Sequence, residues 1–320
     1  MSAASWRSPS APPNPAAPRV FVSITTHTTR HLAATLAGLA WQTLAPHAIA
    51  VSCDTDAPAL AAELDLWWPR VRCALGTRHP SASTVLLHTF RPHQGRPRAN
   101  QTRNNGLRAL IDHAGLQPSD LIVILDGDIA LASDALTQHQ ALAAAGAHLN
   151  IGYRVMLDEA ATAGVTPDSL LAGGVDCGSL ISPLARGELE RRHARYRRNL
   201  FFSRFGFIKP HKPKIISCHF AVRLSALLAV NGCDEEFAGH RFDDDDLSRR
   251  IRLSNRRIPT AIAVSTIDAF HLHHPTRAFP DLANDPGYQR WNRTDLPIRA
   301  ACGLDSPLDQ PTPTVRRISP

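Results

Sequence analysis

The sequence predicts an α/β fold, a sheet flanked by helices, and three observations predict it. Apolar, β-branched runs of strand length recur at 19–25 (RVFVSIT), 47–53 (HAIAVSC) and 120–125 (DLIVIL). Between the first two, residues 30–43 carry apolar side chains at helical spacing, and strand–helix–strand alternation is the signature of a parallel sheet with crossover helices. Two of the runs are closed by aspartate, Asp54 and Asp126, at the strand ends outside which open α/β sheets bind their ligands.

Taken in order, the ordered chain is expected to begin at Arg19, because residues 1–18 are rich in Pro, Ser and Ala and read as a disordered tail. A third strand is expected within 83–90 (STVLLHTF), then a Gly/Pro/Arg loop from Arg91 to Arg98 and a helix over 99–114. The run 120–125 reads as the most buried strand. Beyond Asp128 the pattern gives an Ala-rich helix at 133–147, a strand at 149–156 and a helix at 158–172. A strongly basic amphipathic helix follows at 184–200, then mixed strand and helix signals at 215–230 and a turn at Asn231-Gly232. Residues 246–255 read as helix and 260–272 as strand-rich, and 301–320 as a flexible tail, Pro-rich from Asp305.

Composition bounds the function. At 320 residues and 43% hydrophobic, the chain can bury a sizeable core. Its net charge of +7 suits anionic partners, but no basic stretch is interleaved with stacking aromatics, so nucleic acid is not expected. The six cysteines form no CxxC pair, which argues against zinc or a redox dithiol and for a reduced, intracellular, cytoplasmic protein. No run approaches the ~20 apolar residues of a membrane span, and the N-terminus has no signal-peptide core.

Three constellations carry chemistry. Asp126 and Asp128 close the run LIVILDGD. Residues at i and i+2 of an extended chain point to one side, so two oxygen ligands could bridge a divalent cation to a diphosphate. Gly127 is expected to let a bound group approach the backbone. An ordinary polar turn is the plainer reading of the tripeptide alone. The second is the run Asp243–Asp246 ahead of a helix beginning near Leu247. Helix capping explains one or two of these acids, and the excess points to general-base catalysis or to a solvated acidic turn. The third is DAFHLHHP, where His271 and His273 share a strand face and His274 opens the turn; it suits a metal ligand or a structural histidine.

Together, LIVILDGD followed by VNGCDEEFAGHRFDDDDLSRRI, with TRNNGL before them and AFHLHHP after, resemble the family 2 glycosyltransferases of GT-A fold, particularly bacterial members with a galactosyltransferase-like C-terminal segment. The resemblance covers roughly residues 19–280. It implies a Rossmann-like mixed sheet flanked by helices, a donor-binding half at 19–150 and an acceptor-binding, catalytic half at 151–300. It implies nucleotide contacts by Asp54, Arg103, Asn104 and Asp126, and a Mn²⁺ or Mg²⁺ ion on Asp128 and His271, or on His273 or His274 if the register differs. Asp244 would be the catalytic base, with Asp243 and Asp245 orienting the acceptor. The implied reaction is inverting transfer of a hexose from a UDP-type nucleotide sugar to a glycan or glycolipid hydroxyl. Two departures bear on the acceptor: Arg241-Phe242 replaces the family's Gly-Gly, and His219 stands where the family more often has Asn.

A phosphatase of the haloacid-dehalogenase type would continue DxDGT near its N-terminus, and a nucleotidyltransferase would carry a glycine-rich phosphate loop absent from VSITTHTTRH. A catalytically inactive sugar-binding protein on the same fold is the non-enzymatic alternative. The basic helix at Arg186–Arg198 and the stretch FFSRFGFIKPHKPK suit peripheral contact with anionic lipid, or a solvated helix and a mobile loop.

Overall fold

The computed structural model describes residues 17–173, 175–176, 178–238, 241–275 and 281–318; nearly all of the expected N-terminal tail lies outside them. The first half alternates as the periodicity requires: β1 (Val20–Thr26), α1 (Leu32–Ala40), β2 (Ala48–Cys53), α2 (Pro58–Arg78), β3 (Val85–Phe90), α3 (Ala99–Ala114) and β4 (Leu121–Asp126). β3, β2, β1 and β4 lie side by side and parallel. The chain adds β2 and β3 on one side of β1 and β4 on the other, which makes the carboxyl ends of β1 and β4 a topological switch point.

The second half extends the same sheet. After β5 (Ile129–Leu131), α4 (Ala135–Ala144), β6 (Leu149–Ile151), β7 (Val155–Met156), α5 (Glu159–Ala163), α6 (Pro167–Leu171) and α7 (Pro183–Ser203), strand β8 (His219–Arg223) pairs antiparallel with β4. Then come α8 (Leu224–Ala229), α9 (Asp243–Ser254), β9 (Thr260–Ile262), β10 (Ala269–His271), α10 (Pro286–Trp291) and β11 (Thr314–Ile318). The full sheet has eight strands in the order β11-β3-β2-β1-β4-β8-β6-β9, and β5-β10-β7 form a second, three-stranded sheet.

Period-2 alternation builds a core on each face of the large sheet. Val20, Val22 and Ile24 of β1 and Val123 and Leu125 of β4 join Leu36, Leu64 and Trp68 of α1 and α2. Phe21, Ile122 and Ile124 face the other way, toward Leu107 and Leu110 of α3 and Leu247 and Ile251 of α9. Helix α3 comes very close to the sheet at Gly106, where an added Cβ would lie 2.9 Å from Ser23 Oγ.

Three expectations need correction. The C-terminal segment is no flexible tail: β11 pairs antiparallel with β3 from Thr314–Phe90 to Ile318–Leu86, and Leu308 N donates to Glu235 Oε2 at 2.9 Å. An edge strand accepts prolines just ahead of it. Residues 149–156 are two strands in different sheets, because the chain bends at Gly152, where a Cβ would strike the His219 ring at 2.6 Å. Residues 158–172 are two short helices, the second begun by a Thr166–Ser169 capping box.

Candidate active site

Strand β4 ends at Asp126, and Asp128 lies not on the extended strand expected but in the turn that leads to β5, where the two sheets meet at the switch point. Register pairs His271 of β10 with Ile129 of β5, and Leu272 N donates to the Asp128 carbonyl at 2.9 Å. Asp128 and His271 are therefore fixed as neighbours by backbone pairing. Asp128 Oδ2 lies 3.5 Å from His271 Nε2 and 3.1 Å from His274 Nε2. These three residues are the one group among those described whose ligand atoms converge closely enough to hold an ion.

The donor set fits a divalent cation. Asp128 Oδ1 is buried with no hydrogen-bond partner, which leaves a carboxylate lone pair open. Burial holds His271 below the usual histidine range, and a ligand imidazole must be neutral. Two imidazole nitrogens beside one carboxylate make a softer set than the all-oxygen sites that Mg²⁺ takes. His273, the other alternative, stands apart: its N–H donates to Thr162 Oγ1 at 2.8 Å and its side chain is exposed. Gly127 is also required by the fold: an added Cβ there would meet Thr26 Cβ and Oγ1 of β1 at 2.7 Å.

Helix α9 begins at Asp243, earlier than expected, after Phe242 in the left-handed region (φ 65°). Left-handed backbone is uncommon outside glycine, so Phe242 holds a conformation that a glycine would take freely. All four aspartates fall in the first turn, where the helix dipole favours negative charge. Their partners differ. Asp243 is paired with Arg103 at 2.7 Å, Asp245 with Lys214 at 2.7 Å, and buried Asp246 with Arg250 at 2.6 Å and Arg249 at 3.0 Å. Asp244 instead accepts from Ser217 N at 3.2 Å. Burial and the adjacent Asp243 push its carboxyl up to about 6, against the pull of Arg103 and Lys214.

Arg103 joins the two acidic motifs. Its guanidinium donates to Asp243 Oδ2, to Asn100 Oδ1 at 2.9 Å and to Ser217 Oγ at 2.8 Å, and lies 3.8 Å from Asp126 Oδ1. Burial and the crowd of carboxylates, Asp128 and Asp244 among them, raise Asp126 to about 7 despite Arg103. Arg103 thus offsets the repulsion within that cluster only in part, since Asp126 stays raised.

Asn104 faces the 231–236 loop. It is fully buried, and its amide is spent on Cys233 N, Cys233 O and Glu235 Oε1, tying α3 to the 231–236 loop. Asp54 is nearly as enclosed: Arg91 Nη2 lies 2.8 Å from one oxygen, and Arg98 N donates to the other at 2.8 Å. It anchors the 91–98 loop. His219 is buried against His139, with their Nε2 atoms 3.0 Å apart, and its Nδ1 contacts the Tyr153 carbonyl at 2.6 Å. Burial lowers it to about 4, so the ring is neutral: Nδ1–H donates to Tyr153, and Nε2 accepts from His139. His219 is thus part of the scaffold beside β4, opposite Leu125 in the sheet.

Residues not singled out from sequence also stand here. Lys214 and Ser217 hold the acidic turn, and the charge of Arg154 acts on both His271 and Cys218. No local motif marks them, since each arrives from a loop distant in sequence.

No protein-family model matches the sequence, and no curated protein matches it by sequence. Solved structures do resemble it. GalNAc-T7, whose crystal structure contains UDP, GalNAc and Mn²⁺, superposes with a TM-score of 0.52 at 12% identity, over 86% of this chain and 48% of that one. S. aureus TarS follows at a TM-score of 0.45 and 12% identity, over 80% of this chain and 37% of that one. This chain thus spans less than half the length of either. The fold is that of the GT-A glycosyltransferases, a mixed sheet flanked by helices.

Proposed function

We propose that the chain is a metal-dependent, inverting glycosyltransferase that moves a hexose from a nucleotide-diphosphate sugar, UDP-linked, to a glycan or glycolipid hydroxyl. One observation carries the reading: the charges of Asp128, which with His271 and His274 forms a group suited to a divalent ion, and of Asp244, which makes no ion pair among the described residues, both act on Asp126. An inverting, metal-dependent transfer uses both, the ion for the leaving diphosphate and the carboxylate for the acceptor proton. The UDP and Mn²⁺ in the GalNAc-T7 structure support the donor and the ion by analogy of fold.

In this reading Asp128, His271 and His274 hold Mn²⁺ or Mg²⁺, which when bound supplies Lewis-acid stabilisation of the departing diphosphate. Arg103 keeps Asp126 on the donor side and Asp243 on the acceptor side in fixed relation, with Asp126 turned toward the nucleotide. Asp244 accepts the acceptor hydroxyl proton as that oxygen attacks the anomeric carbon. A single displacement inverts the configuration. Asp243 and Asp245, held by Arg103 and Lys214, shape the acceptor mouth. The location that goes with this reading is the cytoplasm; among the described residues no helix is long and apolar enough to cross a membrane.

The test is release of free nucleotide from a panel of UDP- and other nucleotide-linked sugars, with Mn²⁺ and with chelator. Metal-dependent release from at least one UDP-hexose is expected. Release of inorganic phosphate or pyrophosphate instead would replace this reading with a phosphatase or a nucleotidyltransferase.

A further inference from the structure

The proposed transfer leaves one part of the molecule unused. Helix α7 ends in a turn whose aromatic side chains face solvent: Phe201 is 55% exposed, Phe202 38%, Phe205 60% and Phe207 78%. The ring centroids of Phe201 and Phe205 are 5.3 Å apart and those of Phe205 and Phe207 6.2 Å, so these are one patch. A contiguous apolar patch of this kind marks an interaction surface. The stretch itself is basic, for residues 191–214 hold nine arginines and lysines and no acid, of which Lys212 and Lys214 at its far end face Asp245. Arg197 and Arg198 precede Phe201 and Phe202 by one helical turn and share their face.

Beside the patch is a cavity of about 130 Å³, lined by Ser203, Gly206, Ile208 and Pro210 on one side and by Arg252 and Arg256 on the other. Arg252 is 4% exposed. Its Nη2 makes a long 3.4 Å contact to the Pro213 carbonyl, and its Nε is buried without a partner. No carboxylate among the described residues pairs with it. Burial and the nearby Arg204 push its guanidinium down to about 10. A buried guanidinium with unused donors at a cavity wall is suited to an oxyanion.

We propose that the end of α7 and the 204–210 loop form a docking site for an anionic phospholipid surface. Phe201, Phe205 and Phe207 enter the acyl boundary while the cavity at Arg252 and Arg256 takes a headgroup phosphate. Interfacial binding grows with buried apolar area and with attraction between basic residues and anionic lipid, and this surface offers both. Free phosphate would satisfy the arginines alone and leave the phenylalanines unexplained. The same stretch runs on to Lys214 and Ser217, which contact Asp245 and Asp244, so docking places the acidic turn close to the membrane face. The surface stands independently of the transfer reading.

The full chain is to be sedimented with vesicles of phosphatidylcholine alone and with vesicles one-third phosphatidylglycerol. Binding to the anionic vesicles is expected, with weaker binding to the neutral ones. Phe205→Ser with Phe207→Ser should weaken it about tenfold or more, and Arg204→Gln with Arg256→Gln by a similar factor. All four side chains are exposed, so melting temperature and nucleotide release in solution should stay at the parent level. Absence of vesicle binding by the parent, or binding by both variants equal to the parent, overturns the proposal. So does complete displacement from anionic vesicles by inorganic phosphate at constant ionic strength, which would assign the cavity to a free anion.

Discussion

Four adjacent aspartates are interchangeable letters in a sequence and four different groups in the fold. Asp243, Asp245 and Asp246 each face a cation, whereas Asp244 rests on a main-chain N–H. A base near the working pH is the more effective one, and burial beside Asp243 lifts Asp244 to about 6. The base must be ionised. Transfer should therefore hold a plateau above about pH 6 and fall about tenfold per unit as pH drops below it. Lys214 acts to lower the Asp244 pKa, so Lys214→Met should move that acid limb to higher pH. Asp244→Asn should cost about 10²- to 10⁴-fold in kcat while donor binding is retained. An unmoved limb in Lys214→Met, or near-normal transfer by Asp244→Asn, removes Asp244 from the role.

At the scale of elements, periodicity was informative wherever one signal dominated. β1, β2, β4 and α3 follow from uninterrupted runs. Helix α2 also carried a clear signal, since its buried residues Leu60, Leu64, Trp68, Val71 and Leu75 recur at steps of four, four, three and four. Pro69 in its middle masked that stripe. Strand β11 was hidden by proline-rich flanks, and its partner lies more than 200 residues earlier, where no local pattern reaches. The aspartates and histidines of the site were visible as motifs. The bridging role of Arg103 was not, because it depends on how α3 approaches β4 and α9. β11 also has a measurable duty. It covers the β3 edge, VLLHTF, whose apolar backbone ladder would otherwise be open to pairing with another chain. A chain ended at Pro313 should melt lower by about 2 °C or more, since roughly 1 kcal/mol shifts a domain of 150–250 residues by about 2–4 °C and a chain of this length by less. It should also scatter light in a concentration-dependent way. Unchanged melting and a monodisperse solution would show β11 to be dispensable.

Across the whole molecule, the candidate ion site works as a clasp between distant parts of the chain. Asp128 sits between β4 and β5, while His271 and His274 come from β10 and the residues after it, some 146 positions later. Unfolding separates them, so an ion on this site binds the folded chain and stabilises it by mass action. At a hundredfold excess over its dissociation constant the gain is about 2.7 kcal/mol, enough to raise the melting temperature by several degrees. Mn²⁺ should therefore shift the melt of the parent chain upward, and chelator should reverse the shift. His274→Ala and Asp128→Asn should lose most of it, because each removes one of the three converging ligands. His273→Ala should keep it, since that side chain points to solvent. The readout needs no substrate, so it separates the ion site from the transfer assigned to it. Equal Mn²⁺ shifts in the parent and in both ligand variants would place the ion elsewhere on the chain, and with it the diphosphate.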